Sequence, residues 1–240
     1  YLIEEPLAAA IGAKIPIAQA SGHMIVDIGG GSTEAAVISL GGVVVHKSAR
    51  VAGNKLDEAI SNYVKRTNNL IIGERMSEMI KVTIGDAMAE KQKVIDGKLK
   101  LAMESGDLKA DKPTSIRQPT DQQPISSIEV RGRDAVSGLP RMIELTRAEV
   151  TEAIAPVLNQ IITAVKSVLE ETPPELAADI IDKGIVMAGG TSLLTNFDRL
   201  MTAATGVPCH VADEALLCVV RGTGVALENI ELYKRSVSRK

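Results

Sequence analysis

Apolar residues crowd into short strand-length runs near the start of the chain, over His23–Ile28, Thr33–Leu40 and, after the Gly41-Gly42 turn, Val43–Ala49. Three such runs joined by short turns predict an antiparallel meander. The period then changes. In "NKLDEAISNYVKR", Leu56, Ala59, Ile60, Tyr63 and Val64 share one helical face, with Asn54 as the expected N-cap. A second helix is expected from about Ser77 to Ile84.

The pattern fades between Met88 and Pro124. "KPTSIRQPTDQQP" is polar, holds three prolines and has little to bury, so at least the second half of this stretch reads as a mobile insertion. Its first half, "AEKQKVIDGKLKLAMES", reads as a short surface helix or hairpin. Regular patterning returns with "SSIEVRGRD" and "LPRMIEL", a predicted hairpin. Thr146-Arg147-Ala148-Glu149 is a capping-box pattern opening a long helix to about Glu170, with Pro156 expected to kink or break it. Thr172-Pro173-Pro174-Glu175 starts another helix. "KGIVMAGG" predicts a short buried strand, followed by a helix over roughly Leu193–Ala204, a strand in "VPCHVA" and a last helix in "ALLCVVRGTGVALENI". Strands and helices mixed in this way predict an α/β fold.

Composition narrows the function. The 240 residues are 45% hydrophobic and 24% charged, the balance of a globular chain with a sizeable core. Aromatics are 2%, too few for a base-stacking platform, and a net charge of −3 gives no reason to expect nucleic acid. Cys209 and Cys218 are the only cysteines, which excludes a disulfide framework and fits a reducing cytoplasm. Cys218, inside "ALLCVV", reads as a buried thiol. No uninterrupted apolar run reaches the roughly 20 residues a membrane crossing needs, and no signal peptide is recognisable. The chain begins at Tyr1, and "YLIEEPLAAAIGA" reads as mid-fold, so a missing N-terminal part is expected. His23, His46 and His210 have no acid or cysteine at ligand spacing in the sequence and read as strand or surface residues.

One element occurs twice. Asp27-Ile28-Gly29-Gly30-Gly31-Ser32-Thr33 and Met187-Ala188-Gly189-Gly190-Thr191-Ser192 each run from an apolar strand into glycines and then hydroxyls. Glycines let backbone N–H groups converge on an anion, and hydroxyls add rotatable donors. The second copy is expected to lead into a helix whose N-terminus favours negative charge. Two such turns suit a nucleotide gripped from two sides, with Asp27 placed to hold Mg²⁺ directly or through water.

The segments "YLIEEPLAAAIGA", "DIGGGSTEAAVISLGG", "VAGNKLDEAISNYV", "IGERMSEMIK", "EVRGRDAVSGLP", "TPPELAADIIDKGIVMAGG" and "DEALLCVVRGTGVALE" resemble, in order, those of the MreB family of bacterial actin-like proteins. The resemblance implies an actin-like ATPase fold, a ribonuclease H-like mixed sheet with flanking helices, of which this chain carries mainly the second lobe. It divides the chain into the end of the first lobe and crossover (1–20), a nucleotide-binding large subdomain (21–84), a small subdomain with the insertion (85–145), a return to the large subdomain (146–217), and a C-terminal helix and tail (218–240). It implies ATP and Mg²⁺ as cofactors, with Asp27 near the metal, Gly29, Gly30, Gly31, Ser32 and Thr33 as a phosphate loop, and Gly189, Gly190, Thr191 and Ser192 near the α-phosphate and nucleoside. Ser77, Glu78 and Lys81 match the helix beside the adenosine, although Glu78 and Lys81 alone would read as an i,i+3 ion pair.

Glu4 and Glu5 read as structural, since the water-positioning acid is expected N-terminal to this chain. The implied activity is ATP hydrolysis coupled to filament dynamics, with self-association, the inner face of the cytoplasmic membrane and cell-wall elongation proteins as partners. Departures from the family pattern are Ala52 and Asn54, where Gly and Asp are usual, and Thr191 in place of a third glycine. They keep open a non-hydrolysing paralogue of the same filament. A chaperone of the Hsp70 kind would be expected to continue into a peptide-binding domain, and the last helix pattern close to Lys240 counts against it; a sugar kinase is disfavoured because no catalytic aspartate or sugar pocket is recognisable.

Overall fold

The computed structural model describes residues 2–88, 125–231, 233 and 237–238. In chain order the elements are β1 (Leu2–Ile3), α1 (Glu5–Gly12), β2 (His23–Ile28), β3 (Thr33–Ser39), β4 (Gly42–Ala49), α2 (Gly53–Asn68), β5 (Leu70–Ile71) and α3 (Glu74–Ile84). Beyond the undescribed stretch come β6 (Ser127–Asp134), β7 (Pro140–Thr146), α4 (Arg147–Glu171), α5 (Pro174–Lys183), β8 (Ile185–Ala188), α6 (Phe197–Thr205), β9 (Cys209–Val211), α7 (Cys218–Glu228) and β10 (Val237–Ser238). The insertion expected at 88–124 falls almost wholly outside the described residues.

The main sheet has the order β4-β3-β2-β8-β9. Its first half is the antiparallel meander, while β2, β8 and β9 run parallel. Side chains of a strand alternate between faces, and the core divides accordingly. Met24, Val26, Ile28, Ala35 and Val37 face α2 and α4 in the larger cluster, which also holds Leu56, Ile60, Ile154 and Ile161. Ile25, Ala36 and Ile38 face the other way, onto Leu7 and Ala9 of α1 and Cys218 and Ala226 of α7. Asp27 shares the α1 face by alternation. Each fully buried Leu or Ile contributes about 1.5–3 kcal/mol. Cys218 is fully buried, as its apolar neighbours imply. A second sheet, β5-β6-β7, contains the expected hairpin.

α1 and α7 touch backbone to backbone. A Cβ on Gly12 would lie 1.8 Å from the Cys218 carbonyl oxygen, and one on Gly222 would lie 1.7 Å from that of Ala8. Only glycine permits this approach.

Several expectations are corrected. α2 starts at Gly53 with Ala52 as N-cap and no side-chain cap, so Asn54 is not the cap. Its orphan donors are met from afar: Gly53 N donates to Gly29 O (3.1 Å) and Asn54 N to Gly30 O (2.8 Å). α3 begins at Glu74, about one turn earlier than the apolar pattern indicated. α4 runs unbroken through Pro156, because Ile154, Val157, Leu158 and Ile161 anchor both sides of the proline in the core. Its capping box forms as expected. By length and composition α4 could cross a membrane, but its apolar face is the spine of the large cluster. Near the C-terminus β10 pairs with β1, Leu2 opposite Ser238 and Ile3 opposite Val237.

Candidate functional site

β2 and β8 are adjacent and parallel, with Asp27 in register with Ala188. Their C-terminal ends therefore lie side by side, and both glycine turns emerge at the same edge. In open α/β sheets the crevice beyond the carboxyl ends of the strands is where ligands bind. A cleft of about 1240 Å³ opens there, lined by Glu5, Asp27, Gly29, Gly30, Gly189, Gly190 and Thr191 among others.

The two turns are stitched together. Thr191 Oγ1 donates to Gly29 O at 2.7 Å, the same carbonyl that caps α2 through Gly53. Lys81 Nζ, from α3, donates to Gly53 O at 3.3 Å and to Asp57 Oδ2 at 2.8 Å. The anticipated Glu78–Lys81 pair is thus replaced by a cross-helix pair, because the α2 backbone and Asp57 meet Lys81 in the cleft wall. Asp57 Oδ1 is buried with no hydrogen-bond partner among the described residues, and burial pushes its carboxyl up despite the lysine.

The hydroxyls have a different role from the one their position suggested. Thr33 Oγ1 donates to Val51 O at 2.6 Å and Ser192 Oγ to Gly189 O at 2.6 Å. With Thr191 they hold the loops in shape. Gly31, Ser32, Thr33 and Ser192 do not line the cleft, whereas Ser77, Glu78 and Lys81 do. Ser77 is itself buried, its hydroxyl 3.4 Å from Gly73 O.

The backbone supplies the donors instead. The N–H groups of Gly30, Gly31 and Ser32, and those of Gly190 and Thr191, have no acceptor among the described residues. Free N–H groups on two neighbouring glycine turns favour an anion. The second turn continues into a single 3₁₀ turn, Gly190–Leu193, and α6 begins only at Phe197. The helix expected directly after the glycines is therefore a short coil of tighter pitch.

Asp27 is 6% exposed, and burial pushes its carboxyl up to about 6, with the charges of Glu5 and Glu34 adding to the rise. Glu5, read from the sequence as structural, lies in the cleft wall close enough to be felt by Asp27. Its place at the start of α1, directly before Pro6, was the only signal available. The lining also carries aliphatic side chains, Ile72, Val82, Leu193, Leu194 and Leu216, with Leu216 beside Gly190 of the second turn. The cleft thus combines free N–H groups, carboxylates and aliphatic surface. That combination fits a molecule with an anionic head, an accompanying cation and a flat apolar base.

A mixed sheet with this order, these paired glycine turns and this cleft defines an actin-like fold. MreB 5 of Spiroplasma citri, solved with AMPPNP bound, superposes with a TM-score of 0.78 at 33% identity, covering 97% of this chain and 60% of that one. A MamK double helical filament superposes at 0.65 and 19% identity, a likeness of fold, covering 94% of this chain and 58% of that one. The family model for MreB/Mbl protein matches residues 1–117 and 104–235, and the chain belongs to the MreB/Mbl family. It is 45% identical over 233 residues to the cell shape-determining protein MreB of Pasteurella multocida, covering 97% of this chain. It is 42% identical over 239 residues to the cell shape-determining protein Mbl of Bacillus subtilis, covering 99% of this chain. The chain spans 58% and 62% of the lengths of those two relatives.

Proposed function

We propose that the protein carrying this chain is a filament-forming, ATP-binding determinant of cell shape that hydrolyses ATP as its filaments turn over. In this reading it works in the cytoplasm, at the inner face of the membrane, with itself and cell-wall elongation proteins as partners. The observation that carries the nucleotide part is the meeting of two glycine turns at the ends of adjacent parallel strands, beside Asp27. The free N–H groups of Gly30, Gly190 and Thr191 cradle the phosphates. Aliphatic side chains of the lining, Ile72 and Val82 among them, take the base. Lys81 and Glu78 face the nucleoside between them. Mg²⁺ supplies neutralisation of phosphate charge when bound. Asp27, buried and anionic above about pH 6, is the residue to hold it. Glu5 adds a second carboxylate to the same wall, placed to orient a water. The shape and filament part rests on the named relatives and on the filament neighbour.

The test is pelleting and phosphate release with Mg-ATP on anionic liposomes, using the whole protein beside Asp27→Ala. Assembly and phosphate release by the wild type, with both lost in the variant, is the expected result. Assembly without phosphate release would favour the non-hydrolysing paralogue, for which Asn54 at the cleft rim is the relevant departure. A wild type that neither binds ATP nor pellets would overturn the reading.

A further inference from the structure

Asp27, Glu34 and Ser48 form one row across the sheet: Asp27 pairs with Glu34 on β3, and Glu34 with Ser48 on β4. Residues paired in this way project from the same face. His46, two residues back along β4, projects from that face too. It closes on Glu34, with Nε2 2.6 Å from Oε2, while Ser48 Oγ donates to Oε1 at 2.5 Å. Both oxygens of Glu34 are thus engaged from β4, the side away from Asp27. The glutamate side chain is 13% exposed and the histidine 40%. The cluster lies outside the cleft lining. Sequence spacing had left His46 without an acid.

Like charges directly opposite each other across strands repel, and the Glu34 charge already acts on Asp27. A Glu34 free to rotate could lean toward Asp27 and bring a further carboxylate to whatever cation Asp27 holds. Two donors on β4 prevent that.

We propose that Glu34 is a positioning residue for the metal site, held off the cleft by His46 and Ser48 so that it adds no further carboxylate beside Asp27. The proposal rests on the nucleotide reading of the cleft. The three residues lie outside the cleft lining and act on the metal through the placement of the Glu34 charge, since a carboxylate brought beside a cation strengthens the attraction.

The test is the Mg²⁺ dependence of nucleotide affinity in the whole protein, followed with a fluorescent ADP analogue at a series of Mg²⁺ concentrations, with melting temperature measured alongside. His46→Ala combined with Ser48→Ala, which frees Glu34 to approach the metal, is expected to lower the Mg²⁺ requirement about fivefold, leaving the Mg²⁺-free affinity and the melting temperature near wild type. His46→Gln with Ser48→Thr, which restores two donors, is expected to recover the wild-type requirement. An unchanged or raised Mg²⁺ requirement in the Ala pair, or a change that tracks melting temperature and is not rescued, would overturn the proposal while leaving the cleft reading intact. A wild type that binds no nucleotide at any Mg²⁺ concentration would overturn both.

Discussion

Gly189 stands against Asp27: a Cβ added to the glycine would lie 2.5 Å from Asp27 Oδ1 and 2.4 Å from Ile28 O. Its backbone, at φ 81 and ψ 163, occupies a region open essentially to glycine alone. Two constraints coincide at the point where the strand ends meet. Gly189→Ala is therefore expected to cost about 2 kcal/mol or more and to abolish nucleotide affinity by displacing Asp27. Gly31→Ala is the control, because a Cβ there meets nothing within 4 Å and φ is not positive. Chemical denaturation and nucleotide titration of the two variants check the contrast.

Asp27 also sets a pH dependence. Burial raises its carboxyl in the fold to about 6, well above the ordinary carboxylate range. The ionised form is the one disfavoured in the fold, so the penalty is fully present above about pH 6 and vanishes below the unfolded value. Stability is expected to rise by about 2 kcal/mol as pH falls from 7 to 4, against the loss from other carboxylates. Asp27→Asn removes this component. The variant is expected to be more stable than wild type at pH 7.5, to gain less on acidification, and to lose Mg²⁺-dependent nucleotide affinity. Urea midpoints across pH for both proteins decide it; equal slopes would refute the assignment.

Asp86 and Arg147 gather both ends of the undescribed segment. Asp86 accepts from Arg147 Nη1 (3.1 Å), Asn196 Nδ2 (2.9 Å) and Met88 N (2.9 Å). Arg147 also donates to Ile125 O through Nη2 at 2.9 Å. The aspartate side chain is 5% exposed. Removing the arginine leaves a buried charge short of its cation, so Arg147→Met is expected to destabilise by about 3 kcal/mol. Asp86→Asn, which removes the charge and keeps acceptor capacity on one oxygen, is expected to cost less. Equilibrium unfolding of the two variants gives the order.

Much of the fold was legible because its signals are local. The meander, the capping box at Thr146 and Glu149, and the strand at Ile185–Ala188 follow from adjacent residues. What was missed depends on register between distant segments. Ala52 can cap α2 without a side-chain oxygen because carbonyls of Gly29 and Gly30 do the capping. Lys81 finds Asp57 on another helix, and His46 finds Glu34 only once β3 and β4 are aligned. Glycine content pointed to the cleft, while the turning of Thr33, Thr191 and Ser192 onto backbone carbonyls had no sequence signature.

Two glycines of α7 separate packing from propensity. Gly222 is buried against α1, where a methyl group would lie 1.7 Å from Ala8 O and 2.9 Å from Gly12 N, both backbone atoms that cannot rotate away. Gly224, two residues on, is exposed and meets nothing within 4 Å. Alanine in a helix interior is favoured over glycine by about 0.8–1 kcal/mol, a gain available at both positions. At Gly222 it is overwhelmed, since the helices must separate and uncover Leu7, Ile11 and Cys218, each buried in the shared cluster. Gly224→Ala is thus expected to raise stability by somewhat under 1 kcal/mol, and Gly222→Ala to lower it by about 3 kcal/mol. Opposite shifts in melting temperature are the signature; a common sign would mean that α1 and α7 do not pack in this way in solution.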